Sequence, residues 1–193
     1  MHYLKTVAKI VGIAILLMLV LNWQYFYIQI KYYTNPPHPL PPPPVSESPK
    51  GEPNRLTIRS LAIEAPVVYV EQEDERMFQK ALRDGVVHYP QTAFPGQPGN
   101  VYIFGHSSDF PTTPGNYKNV FALLPKIEAG DEIEVTDQEG NIYVYIVTET
   151  KVVSPSDTHV LEQDDSIKQL TLQTSYPVGT ALRRFLAVAS LKE

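Results

Sequence analysis

The sequence predicts an all-β fold, a closed eight-stranded β-barrel with one or two short helices, preceded by an N-terminal transmembrane helix. Residues 55–193 hold about eight short runs that alternate apolar and polar side chains or string β-branched residues together, the pattern of strands. A single segment in that region has clear helical spacing, whereas parallel α/β units would need a helix between most strands. The chain also opens on a long apolar run. With 193 residues, 43% of them hydrophobic and 10% aromatic, there is room for one domain plus attachments and material for a real core.

Taken in order, residues 7–30, "VAKIVGIAILLMLVLNWQYFYIQI", would extend about 36 Å as a helix, more than the roughly 30 Å of a bilayer's hydrocarbon core. The cleanest apolar part, 11–21, is short enough for a cleaved signal peptide to compete, yet no small-x-small cleavage site follows it. Trp23, Tyr25, Phe26 and Tyr27 instead suit the interfacial aromatic belt of an uncleaved, single-pass anchor. Lys5 and Lys9 before the run, against Lys31 after it, lean slightly toward a cytoplasmic N-terminus with the bulk of the chain outside the cell. Residues 1–34 are thus read as cytoplasmic start and anchor in the cell membrane. Residues 35–54 are rich in proline, which fixes φ and favours an extended polyproline II stalk.

The barrel occupies 55–193. "RLTIRS" and "PVVYV" give two strands, and "EDERMFQKALRDG" gives a short helix with Met77, Phe78, Ala81 and Leu82 at helical spacing and Gly85 as its stop. "NVYIFG" is another strand, left through the turn-rich "HSSDFPTTPGN". "NVFALL" makes at most one helical turn before Pro125; "DEIEVTDQEGNIYVYIVTETKVV" is strand, turn and long strand; "KQLTLQ" and "RFLAVASL" supply the last two.

Composition excludes several classes. The net charge is −5 with no basic cluster, so nucleic acid is not an expected partner. There is no cysteine, which removes disulfides, a thiol nucleophile and thiolate metal sites, and the five histidines lack metal-ligand spacing. No cofactor is expected.

The stretch "QLTLQTSYPVGTALRRFLAVAS", residues 169–190, reads as strand, tight turn and strand with Ser175 at the join. It resembles the nucleophile-to-arginine signature of the sortases, cell-surface transpeptidases of mainly Gram-positive bacteria. "HYPQTAFPGQPGNVYIFGHSS" is similar to that family's segment around its catalytic histidine, and "GDEIEV" to its following strand. Three pieces in the right order make the resemblance specific, and it extends from about Leu56 to Leu191. It implies a sortase-type barrel in which His106 falls on the catalytic histidine, Ser175 on the catalytic cysteine, and Arg184 on the catalytic arginine, nine residues after the nucleophile position. Strand alternation would point only one of Arg183 and Arg184 into the cleft.

The resemblance further implies attack on the carbonyl between Thr and Gly of a C-terminal sorting signal, an acyl-enzyme, and release by an amine from cell wall or pilin. Partners would be sorting-signal-bearing surface proteins or pilins. The serine departs from this scheme. A hydroxyl needs a neutral base to take its proton, and such a base usually needs a carboxylate to fix its tautomer; Asp109 is the nearby candidate. A natural divergent member and an introduced Cys-to-Ser change both explain Ser175, and the anchor and stalk retained by the chain favour the first. An inactive module that captures sorting signals is the alternative function.

Plainer readings stand beside these. His106 would otherwise be a surface imidazole at a strand end, Ser175 a turn residue, Arg184 a surface cation, and His88 a structural or cleft-edge residue. Glu128, Asp131 and Glu134 suit a solvated turn and strand as well as the Ca²⁺ site of some sortases, and lack a matching partner carboxylate. Thr158, His159, Val160 and Leu161 lie in a loop expected to border the substrate groove.

Overall fold

The computed structural model describes residues 2–36, 50–110 and 112–192; most of the proline-rich stalk lies outside them. Eight strands close a barrel: β1 (Arg55–Ile58), β2 (Ile63–Tyr69), β3 (Val86–His88), β4 (Gly99–Phe104), β5 (Glu132–Thr136), β6 (Ile142–Val153), β7 (Lys168–Tyr176) and β8 (Arg183–Leu191), in the spatial order β1-β2-β3-β4-β7-β8-β6-β5. Closure leaves no sheet edge to protect. Alternation along each strand sends one face inward: Leu56 and Ile58, Val101 and Ile103, Ile133 and Val135, Leu170 and Leu172, and Ala187 and Ala189 are all fully buried in one cluster. At roughly 1.5–3 kcal/mol for each large aliphatic side chain taken out of water, this cluster is the dominant favourable contribution to the fold.

Two strand pairs are parallel, β2 with β3 and β4 with β7. The first is bridged by helix α3, Glu75–Ala81, labelled in chain order after the two helices below. Its N-cap Asp74 accepts hydrogen bonds from the backbone N–H of Arg76 and Met77, satisfying two of the donors a helix start leaves open. The second parallel pair matters most. Its register sets Phe104 beside Gln173, so both strands run off the same end of the barrel within three residues, bringing His106 and Ser175 together.

The N-terminus differs from the single continuous helix expected over residues 7–30. Helix α1, His2–Leu21, and helix α2, Trp23–Thr34, meet at a break bent by 73°. Among the described residues no single helix is long and apolar enough to cross a membrane; the bent pair together meets the length and composition requirement. The reason is that α2 packs on the barrel. Gln29 Nε2 donates to the Ala122 carbonyl at 2.9 Å, Asn119 Nδ2 donates to Gln24 Oε1 at 3.0 Å, and Tyr32 packs against the core. Lys126 Nζ donates to the Tyr33 hydroxyl and lies 4.7 Å from that ring's centroid. The expected aromatic belt is therefore split: Tyr25 and Phe26 are half-buried on the docked side, and Trp23 and Tyr27 face outward. Every described side chain of α1 is exposed.

Candidate active site

His106 follows β4 and its backbone is fixed: its carbonyl accepts from Phe121 N–H at 2.9 Å. Before it, Gly105 donates its N–H to the Gln173 carbonyl at 3.1 Å, and the Gly105 carbonyl accepts from Thr174 Oγ1 at 2.8 Å. A Cβ at Gly105 would lie 2.8 Å from the Phe121 ring, so glycine permits this close approach of loop and core. Ser175 is the penultimate residue of β7 and lies directly opposite Arg184 on β8. Arg184 is half-buried and lines the cleft; Arg183 is exposed and does not. Arg184 Nη1 donates to the carbonyls of Ala181 at 3.2 Å and Arg183 at 3.1 Å, which ties the guanidinium to the turn before it.

His106, Ser175 and Arg184 all line one cleft of about 380 Å³. Phe78, Leu82 and Phe104 give it an apolar wall, and Tyr102, whose hydroxyl donates to Gln173 Oε1 at 2.6 Å, lines its polar side. Burial holds the Tyr102 hydroxyl pKa far above its usual range, so it remains a neutral donor. Thr158, Val160 and Leu161 border the same cleft, while His159 turns away and pairs through Nδ1 with Glu162 Oε1 at 2.6 Å. Of the expected groove loop, three residues face the site and one does not.

Burial pushes the His106 imidazole below its ordinary pKa, and the Asp109 carboxylate only partly opposes this. The imidazole is therefore largely neutral near pH 7. Asp109 Oδ2 lies 3.8 Å from His106 Nε2, an ion-pair distance beyond hydrogen-bond reach. Its other oxygen accepts from Phe110 N–H at 2.6 Å and Thr113 Oγ1 at 3.0 Å, so the carboxylate is held by its own loop. The orienting bond to His106 for which Asp109 is the nearby candidate is not formed.

A second cleft, of about 690 Å³, reaches Ser175 from the other side. The loop after β4 (Ser107 to Phe110), the β7–β8 turn (Gly179 to Ala181) and the C-terminal half of α1 line it, and Ser175 is the one residue common to both clefts. Gly179, at φ +80, donates its N–H to Ser108 Oγ at 3.1 Å, joining the two loops. A Cβ on Gly179 would meet Asn22 Oδ1 at 2.8 Å, at the junction of α1 and α2. The sequence carries no direct sign of this cleft, because α1 reaches it only through the bend at Asn22.

The other candidates have structural surroundings. His88 is buried, its Nε2 lies 2.8 Å from the Ala93 carbonyl, and its ring stacks on Phe94 with centroids 5.2 Å apart. Glu134 is taken by Arg59 through two contacts of 2.8 Å, and Asp131 Oδ2 accepts from Glu128 N–H at 2.9 Å. Among the described residues no cluster of three histidine or acidic side chains is placed to hold a metal ion.

The sortase domain family model matches residues 56–192, the barrel from the second residue of β1 onward, with β4, β7 and β8 that carry the cleft. The chain belongs to the sortase family. Sortases are transpeptidases. Sortase D of Bacillus subtilis is 27% identical over 134 residues, 68% of this chain and 59% of that protein. Sortase A of Listeria monocytogenes is 32% identical over 74 residues, 38% of this chain and 32% of that one. The chain thus spans well under two thirds of the length of either curated relative. Among solved structures, a Clostridium perfringens Sortase D5 transpeptidase superposes with a TM-score of 0.59 at 27% identity, covering 72% of this chain and 78% of that one. A lid mutant of Sortase A from Corynebacterium diphtheriae gives 0.60 at 25% identity, covering 76% of this chain and 73% of its own. Sortase C-1 from Actinomyces oris, at 24% identity and a TM-score of 0.60, shares the fold.

Proposed function

We propose that this protein is a membrane-anchored sortase-family acyl-transfer enzyme acting on C-terminal sorting signals of surface proteins or pilins, with Ser175 standing where the family carries its cysteine. One observation carries this reading: His106, Ser175 and Arg184 surround a single cleft at the shared end of β4, β7 and β8. The neutral His106 takes the Ser175 proton as Oγ attacks the peptide carbonyl, then delivers it to the departing amine. The permanently charged guanidinium of Arg184 stabilises the developing oxyanion. An ester acyl-enzyme results, resolved by an amine from cell wall or pilin. The N-terminal helices supply the anchor, α1 entering the bilayer and α2 lying against the barrel with Trp23 and Tyr27 at the interface.

The 3.8 Å between Asp109 and His106 favours a second reading. Without an oriented base a serine hydroxyl is a weak nucleophile, and the cleft would then capture sorting signals without cleaving them. Mass spectrometry of the full chain with a small library of sorting-signal peptides, beside its Ser175→Cys variant, separates the two. An acyl adduct on Ser175 supports the oxygen nucleophile. Adduct on the cysteine variant alone, with peptide binding to both, supports capture by an otherwise intact site. No adduct and no binding in either chain sinks both readings.

A further inference from the structure

The loop between β6 and β7, residues 154–167, gives Val160 and Leu161 to the cleft that His106, Ser175 and Arg184 share. Its backbone bonds are mostly local: Asp157 N–H donates to the Ser154 carbonyl, Leu161 N–H to Thr158 and Glu162 N–H to His159. Turns of this kind fix the loop's shape and not its place on the barrel. Among the described residues, two side chains make the hydrogen bonds that tie 154–166 to the barrel, Gln163 and Asn100. Gln163 Oε1 accepts from Asn100 N–H at 2.9 Å and from Ala93 N–H at 3.2 Å. Its Nε2 donates to the Asn100 carbonyl at 3.2 Å and back to the Leu161 carbonyl at 3.0 Å. N–H donors on one side and carbonyls on the other settle which way the amide points. Asn100, only 2% exposed, adds a bond from Nδ2 to the Val160 carbonyl at 3.0 Å, and its Oδ1 accepts from Thr171 Oγ1 at 2.9 Å. The register of β3 with β4 stops at Ile103, so the Asn100 backbone lies beyond that ladder, and the Gln163 amide meets it as a peptide group would. A Cβ at Gly99 would lie 2.8 Å from Gln163 Oε1, so glycine keeps that seat clear.

We propose that Gln163 is a positioning residue of the peptide-binding cleft: with Asn100 it sets where Val160 and Leu161 stand, and through them the affinity for the donor peptide. The inference rests on the reading, common to both functions above, that this cleft binds a sorting-signal peptide. Gln163 does not itself line the cleft, so it acts through the loop. The two loop carbonyls held by these side chains, those of Val160 and Leu161, belong to the two aliphatic loop residues in the cleft. The clamp therefore bears on the wall itself. The loop's other side-chain bonds are internal and exposed, His159 with Glu162 and Ser166 with Asp164, and give it no hold on the barrel. A loop clamped in this way meets the peptide already ordered, and the cost of ordering it is removed from binding. Without the Gln163 amide the peptide has to supply that ordering, and its affinity falls while the bond-making groups stay where β4, β7 and β8 place them.

The test uses the full chain in detergent micelles, as the Ser175 protein and as Ser175→Cys, with a small library of fluorescein-labelled peptides that carry the Thr–Gly bond of a sorting signal. Gln163→Ala should weaken peptide binding, read by fluorescence anisotropy, about tenfold, equal to about 1.4 kcal/mol. Gln163→Met, which keeps the length and loses the amide, should do the same. Gln163→Glu should not rescue, because its second oxygen would face the carbonyls of Asn100 and Leu161 where a donor is required. In the Ser175→Cys background the acylation rate at saturating peptide should be unchanged and the loss should fall on KM. Alkylation of that chain's thiol by iodoacetamide, a probe too small to need the loop wall, should keep the parent rate. Hydrogen exchange of Gln163→Ala should accelerate at Ala93, Asn100, Leu161 and Glu162, and bound peptide should slow the last two again. Loop exchange unchanged in Gln163→Ala overturns the clamp, and faster loop exchange with unchanged affinity overturns its part in peptide binding. Altered alkylation, or faster exchange across the barrel strands, makes the effect a general loss of structure and overturns the assignment as well. A parent chain that binds none of the peptides instead takes down the peptide-binding reading, and this one with it.

Discussion

The two clefts at Ser175 are built from different materials. The first rests on the barrel ladder: β4 and β7 hydrogen-bond along their length, Thr174 and Gly105 lock their ends together, and Arg184 faces Ser175 across the β7–β8 register. The second borrows a wall from α1, which reaches the barrel through Asn22 and through the polar contacts of α2. The side chains proposed for bond-making are thus held by many cooperative backbone bonds, while the second cleft's outer wall depends on a few side-chain bonds. Geometry on one side can change without disturbing the other.

The largest expected effect breaks the first cleft. Arg184→Ala should reduce acylation of the nucleophile by about 10²–10³, the usual cost of removing an oxyanion donor. Arg184→Lys should recover little, because an ammonium lacks the planar fork of donors. Single-turnover formation of the adduct in the Ser175→Cys background measures this directly. An Arg184→Ala chain that acylates at the parent rate would remove the arginine from the chemistry.

The next effect sharpens the contrast from the other side. Gln24→Ala together with Gln29→Ala removes two contacts that hold α2 on the barrel, at a cost of about 0.5–1.5 kcal/mol each. Hydrogen exchange of the α2 amides should accelerate, while the barrel amides keep their protection. Uniform loss of protection across the barrel would mean that α2 is part of the folding unit and not a docked element.

How much of this was legible beforehand follows from the range of each interaction. Strands with several alternating residues, such as "DEIEV" and "KQLTLQ", declare themselves locally. Strand β3, Val86–His88, is three residues long and gives no alternation to read; only its pairing with β2 and β4 identifies it. The bend at Asn22 was hidden because Gln24 and Gln29 do not interrupt an apolar window by hydropathy alone, although their amides are what bind α2 to Asn119 and Ala122. The motif order singles out His106, Ser175 and Arg184, and the fold brings all three to one cleft. Asp109 did not behave as its spacing from His106 suggested, since the loop turns one of its oxygens to Phe110 and Thr113. Such a choice among local donors is set by backbone geometry that no spacing rule contains.

The smallest expected effect compares buried His88 with half-buried His106. Burial lowers the pKa of both His88 and His106 from the ordinary 6.5. A histidine whose folded pKa is depressed binds its proton more readily in the unfolded chain, so stability is full above about pH 6.5 and falls as pH drops below it. His88 lies between Tyr69 and Phe94, with ring centroids 4.9 Å and 5.2 Å away. His88→Phe should keep the stacking and lose the titration, at a neutral-pH cost of about 1 kcal/mol for the Ala93 carbonyl left without its partner. Urea denaturation of the full chain at about pH 7.5 and about pH 5.5 should therefore show a smaller acid penalty in the variant than in the parent. The remaining pH dependence should shrink again with His106→Gln, which also lies in the first cleft. An acid penalty unchanged in both variants would assign it to the carboxylates, and would mean that neither imidazole is held neutral by burial.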